Sequence, residues 1–105
     1  MSTIQPVVEL PYNYAEYAYK QAATTNDFID LKRYPDELIL VNRDSSNIVY
    51  VKFDQAANTT DGIPIRANSS EKIRIRCRRI GLICSAGTPV LHVLALAWRD
   101  DRITA

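Results

Sequence analysis

The sequence predicts an all-β domain: a Greek-key or jelly-roll β-sandwich of about six to eight short strands, preceded by an N-terminal arm. Three observations lead there. From Asp27 onward, short apolar runs are separated by turn-forming residues. Ile48 to Phe53 is a run of branched and aromatic residues. Glu71 to Arg78 alternates apolar and charged positions with a period of two, which fits a half-buried strand and not a helix. No alternating helical segments suggest a parallel α/β fold, and no internal repeat is evident.

A chain of 105 residues is of the size that forms one domain with a single core and no need of metals or disulfide staples. The apolar share of 47% and the charged share of 24% are those of an ordinary globular protein, not of a disordered or membrane-embedded one. The longest apolar run, Val93 to Trp98, is far too short for a spanning helix. The first residues lack the basic stretch and apolar core of a secretory signal, so synthesis in a reducing cytoplasm is expected. A net charge of +1 gives no global attraction to nucleic acid or acidic membranes.

Residues 1 to 26 read as the arm. Four of the six tyrosines, Tyr12, Tyr14, Tyr17 and Tyr19, fall there among polar and small residues, with no continuous core face. The segment is extended or holds a short helix; for the helix, Asn13 would cap and Glu16 would return the bond. Residues 27 to 105 read as the sandwich. Phe28 to Leu31 and Glu37 to Asn42 are strands interrupted by the turn residues Tyr34, Pro35 and Asp36. Asp44 to Asn47 joins the second of these to Ile48 to Phe53, predicting a β-hairpin. Ile63 to Ile65 is a short edge strand, because Pro64 cannot donate to a central ladder.

In Glu71 to Arg78 the apolar Ile73, Ile75 and Cys77 alternate with Lys72, Arg74, Arg76 and Arg78, predicting one strand with a buried face and a basic face. Ile80 to Cys84 continues after a bend, and Val90 to Trp98 is the last strand. That last strand is apolar on both parities: Val90, Leu94, Leu96 and Trp98 on one side, Leu91, Val93, Ala95 and Ala97 on the other. A strand apolar on both faces is covered on both. The second cover is expected from the arm or from another subunit.

The residues that carry chemistry do not converge on a mechanism, and an enzyme is not expected. His92 is the single histidine; a structural role suits it better than metal ligation, which needs several convergent ligands. Cys77 and Cys84 sit in apolar strand contexts where a thiol behaves as a small hydrophobe; a disulfide between them and a Cys-His nucleophile remain the other readings. Asp100 and Asp101 read as a solvated tail, and Asp27 and Asp30 as strand edges. Gly62, Gly81 and Gly87 form no phosphate-binding pattern. No cofactor or metal is implied. Asn58 and Asn68 head glycosylation-type triplets that read as turns.

The row Lys72, Arg74, Arg76, Arg78 and Arg79 projects charges at about 7 Å spacing. It suits phosphate contacts, with arm tyrosines stacking on bases. Ion pairs with a neighbouring strand or a partner subunit suit it better, since nucleic-acid modules carry a clear basic excess. Trp98 is a core plug or a binding platform, the latter belonging to a carbohydrate-binding alternative.

The succession LILVNRDSSNIVYVKF, IPIRANSSEKIRIRC and IGLICSAGTPVLHVLALAW, spanning Leu38 to Trp98, resembles small β-sandwich virion proteins of tailed bacteriophages. The resemblance implies a structural component of the particle: a capsid decoration or cement protein that clamps neighbouring major capsid subunits, or a tail, collar or fibre-base component. It carries over no catalytic residue. The implied partners are the major capsid protein or other virion subunits, with assembly into the virion after synthesis in the host cytoplasm. Aromatics and arginine favour interfaces, so Tyr12, Tyr14, Tyr17, Tyr19, Arg74, Arg76, Arg78, Leu91 and Val93 are the expected contact residues. Self-association as a dimer or trimer is expected with them.

Overall fold

The structure, a computed structural model, describes residues 14–97. Tyr12, Trp98, Asp100 and Asp101 lie outside them. Eight strands are present: β1 (Tyr14–Gln21), β2 (Asp27–Asp30), β3 (Glu37–Asn42), β4 (Val49–Phe53), β5 (Ile63–Ile65), β6 (Ser69–Ile73), β7 (Arg79–Cys84) and β8 (Val90–Ala97). They form two four-stranded antiparallel sheets, ordered β1-β8-β3-β6 and β2-β7-β4-β5. The pairs β1–β8, β2–β7, β3–β6 and β4–β5 nest inside one another, as in a long hairpin wound into two layers. Further pairing of β3 with β8 and of β4 with β7 closes the winding. This is the jelly-roll order, and the sandwich the sequence predicts is present.

The core lies between the sheets, where alternate residues of facing strands meet. The first sheet supplies Leu38, Leu40, Leu91, Val93 and Ala95; the second supplies Val49, Val51, Ile65, Ile80, Leu82 and Cys84, all at most 2% exposed. Leu91 and Val93 are therefore not contact residues. Their register, Asn42 opposite Leu91 and Leu40 opposite Val93, turns them inward against the second sheet.

Three further expectations are corrected. The described part of the arm takes the extended of its two expected conformations, but not as an appendage: residues 14 to 21 form β1, an integral strand that pairs with β8 along its whole length, from Tyr14 opposite Ala97 to Gln21 opposite Val90. Tertiary pairing outweighs the local capping pattern there. β3 and β4 are not a hairpin either, because they belong to different sheets. The turn between them is the one the sequence shows, with the Asp44 carboxylate accepting from the backbone of Ser46 (3.0 Å) and Asn47 (2.7 Å). It carries the chain across the sandwich instead of back along the same sheet.

The crossing is fixed by Asn42, a fully buried polar side chain. Its Nδ2 donates to the carbonyls of Asn47 (2.8 Å) and Ile65 (2.9 Å), and its Oδ1 accepts from the backbone of Asp44 (3.0 Å). Finally, Glu71 to Arg78 is not one strand. The ladder stops at Ile73, and residues 74 to 78 cross between the sheets before β7. Sidedness persists without the ladder: Arg74, Arg76 and Arg78 are exposed while Cys77 is buried.

Candidate functional site

The two outer faces of the sandwich differ. On the β2-β7-β4-β5 sheet, the chain after β4 folds over the outward side of β7. Asp54, in a left-handed conformation at φ 59°, starts the loop, and Asn26 Oδ1 accepts from the backbone of Ala57 at 2.7 Å. The loop lies so close that a Cβ on Gly81 would strike the Gln55 carbonyl oxygen and come within 2.9 Å of the Ala57 nitrogen. Lys52, also on this side, is paired with Asp61 at 2.9 Å. The loop covers the Gly81 row of this face; in the next row Tyr50 and Ile83 are half-buried and Pro64 is exposed.

Nothing among the described residues covers the outer face of the β1-β8-β3-β6 sheet in that way. Register places its residues in rows. Tyr17, Leu94, Ile39 and Lys72 form one, and Tyr19, His92, Val41 and Ser70 the next. Ala15 and Leu96 lie beyond the first row, with Gln21 and Val90 beyond the second. Tyr17 and Tyr19 are 59% and 64% exposed, while Ile39, Val41, Val90, His92, Leu94 and Leu96 are half-buried. A solvated sheet face ordinarily carries polar residues at these positions. Here a contiguous aliphatic and aromatic surface takes their place, the type of patch that marks an interaction site.

An aromatic cluster forms its centre. The rings of Tyr17 and Tyr19 lie 5.8 Å apart, and the His92 ring is 6.1 Å from the first and 6.2 Å from the second. Tyr17 Oη and His92 Nδ1 are 2.7 Å apart; when Nδ1 carries no proton, the phenol donates to it. Such mutual support limits the rotamers left to freeze when a partner binds. Beside the cluster, Arg43 continues the outward parity of β3 and lines a groove of about 330 Å³ with Tyr17, Val41, His92 and Leu94.

The sheet edges do not invite a partner strand. β2 and β5 are short, and β5 carries Pro64. β6 bears Glu71 and Lys72. β1 is longer but turns two charges inward: Glu16 accepts from the backbone of Lys32 at 3.0 and 3.1 Å, and Lys20 pairs with Asp27 at 3.4 Å. These are the devices that discourage edge-to-edge association.

Of the residues that sequence reasoning nominated, Tyr17 and Tyr19 are on this face. Tyr14 faces the other way, with Arg33 4.5 Å over its ring. The arginines are elsewhere and largely engaged within the chain. Arg76 pairs with Asp36 at 3.0 Å, Arg79 with Asp30 at 2.8 Å, and Arg78 Nε donates to the Leu31 carbonyl at 2.8 Å. Arg76 and Arg78 also lie over Tyr34. Arg74 is exposed and joins none of these contacts. Ile39, Val41, Arg43, His92, Leu94 and Leu96 were missed. Their sign in the sequence was the second apolar parity of β3 and β8, but only the register tells which parity faces out.

Cys77 and Cys84 are free and buried. Burial pushes the Cys77 thiol up to about 11, helped by the nearby Asp54 charge, and burial also raises Cys84. A thiol held protonated is a poor nucleophile. Among the described residues no three His, Cys, Asp or Glu side chains gather as a metal set would, and no helix is long and apolar enough to cross a membrane. Compared with known proteins, the chain matches no family model, no curated protein and no solved structure.

Proposed function

We propose that the protein is a structural, non-catalytic subunit that packs against other protein subunits through the outer face of its β1-β8-β3-β6 sheet. The single observation that carries this is the aliphatic and aromatic surface around Tyr17, Tyr19, His92 and Leu94, on an outer face over which no described loop folds. A jelly roll hosts many functions, so the fold does not choose among them; the apolar surface is what supports the packing reading.

The resemblance of Leu38 to Trp98 to small virion proteins of tailed bacteriophages makes the proposal more concrete. In that setting the protein is a capsid decoration or cement protein, assembled into the virion, whose face seats on neighbouring major capsid subunits. Internal engagement of Arg76, Arg78 and Arg79 weakens the rival in which the basic row binds nucleic acid. Self-association as a dimer or trimer, expected from the sequence, is a separate proposal that uses surfaces other than this face, and native mass decides it.

Leu94→Glu places a charge in the middle of the face without touching the core. The expected result is loss of retention on particles, with unfolding midpoint and far-ultraviolet circular dichroism unchanged. Full retention of a folded Leu94→Glu protein rejects the face as the docking surface.

A further inference from the structure

Arg43 stands where the docking face gives way to a polar rim. Its side chain lines the groove walled by Tyr17, Val41, His92 and Leu94, and also an adjoining groove of about 230 Å³ bounded by Asn68, Ser69 and Ser70. Arg76 and Arg79 each hold a carboxylate. Among the described residues the Arg43 guanidinium has no such partner, and no ring lies beneath it. A guanidinium presents a fixed fork of donors suited to a carboxylate. Placed beside aliphatic and aromatic walls, it is matched to a carboxylate carried next to an apolar group.

Resting on the docking reading above, we propose that the Arg43 groove is the anchor of that face, and that its occupant is an acidic side chain of a partner protein flanked by a hydrophobic residue. The partner's apolar side chain rests against Val41 and Leu94, and its carboxylate meets Arg43. A second copy of this chain is the poorer occupant. The exposed charges that flank the face, Arg43 and Lys72, are both cationic. Glu37, the carboxylate on this side, is buried and lies 3.9 Å from Lys72. Two such faces brought together oppose like charges, which costs affinity and selects against self-pairing.

The test uses the full chain and two blocked dipeptide amides, leucyl-aspartyl and leucyl-asparaginyl, titrated while backbone amide resonances are followed. The aspartyl peptide is expected to shift Val41, Arg43, His92 and Leu94, and the asparaginyl peptide to bind about tenfold more weakly, the worth of a charge-assisted hydrogen bond. Arg43→Gln, an exposed change that leaves the fold intact, is expected to abolish the difference. Equal binding of the two peptides, binding of neither, or indifference to Arg43→Gln overturns the proposal. So does a native dimer that Leu94→Glu disperses, since the occupant is then a second copy. If the peptides are ignored while Leu94→Glu still abolishes particle retention, the docking face stands and the carboxylate anchor falls.

Discussion

Asn42 and Ile65 join the two layers of the sandwich: the amide of one, at the end of β3, donates at 2.9 Å to the carbonyl of the other, at the end of β5 in the opposite sheet. The same amide also donates to Asn47, and the Asn42 oxygen accepts from Asp44, so every strong hydrogen-bonding function of a fully buried side chain is used. Replacing Asn42 with leucine keeps the branching of the side chain but enlarges it and strands the Ile65 and Asn47 carbonyls. The expected cost is about 2–4 kcal/mol, read as a lower urea midpoint at unchanged slope. A midpoint within error of the parent contradicts the role assigned to this residue.

Gly81 tests the cover on the other sheet. A methyl group there meets the Gln55 carbonyl and the Ala57 nitrogen, both backbone atoms, so relief requires moving the whole loop. Gly81→Ala is expected to cost about 1–3 kcal/mol as an overpacking change and to expose the amide of Ala57 to hydrogen exchange. Unchanged protection of that amide shows that the loop does not pack where described.

The buried thiols set an alkaline limit. The Cys77 thiol is raised to about 11 in the fold, whereas an unfolded thiol ionises near 8.5–9. Because the folded value is the higher one, the contribution is complete below the unfolded value and disappears as pH rises through the folded one. It is worth about 2–3 kcal/mol at one pH unit per 1.4 kcal/mol. Stability is expected to fall between about pH 9 and 11, and Cys77→Ala to fall less steeply across that window. Neither cysteine is expected to react with a thiol reagent at pH 8 until denaturant is added; rapid native labelling refutes the burial.

At the acid end the sign reverses. Arg79 holds the Asp30 carboxyl below its ordinary value, and the backbone amides of Ser46 and Asn47 do the same for Asp44. A depressed folded value gives stability that is present above the unfolded carboxylate range near 4 and is lost as pH falls through the folded one. A urea midpoint followed from pH 6 to pH 2 is expected to decline. The decline is expected to be shallower in Asp44→Ala, which has already lost the turn bonds at pH 6. Identical slopes for the two proteins remove Asp44 from the acid transition.

How far the fold was legible follows the range of the interactions that decide it. Turn chemistry is local, so the bonds of Asp44 to Ser46 and Asn47 were readable from residue types alone. Alternation is local too, and it separated Cys77 from its arginine neighbours even where no ladder forms. Sheet membership is not local. Whether Asp44 to Asn47 returns the chain beside β3 or carries it to the opposite layer depends on Asn42 reaching Ile65, and nothing in the intervening residues announces that contact. The candidate face was half legible for the same reason. The two apolar parities of β8 pointed to a second covered surface, but pairing with β3 and β1 decided that Leu91 and Val93 go inward while His92 and Leu94 go out. Tyr17 and Tyr19 read in the sequence as parts of an arm, whereas they stand on the outward side of β1, a strand of the sheet itself.

The nested pairing has a consequence for how the chain is made. Tyr14 and Ala97, the outermost described residues, are register partners, so β1, the first of the described strands, waits for β8, the last of them. Until β8 emerges, the first sheet lacks the member that lies between β1 and β3, and neither neighbour can close its ladder by any local rearrangement. Non-local pairing of this kind is slow, and until it is complete the apolar residues of β1 and β3 lack their register partners on β8. Unpaired apolar strands are prone to associate, so aggregation is expected before β8 joins the sheet and not after.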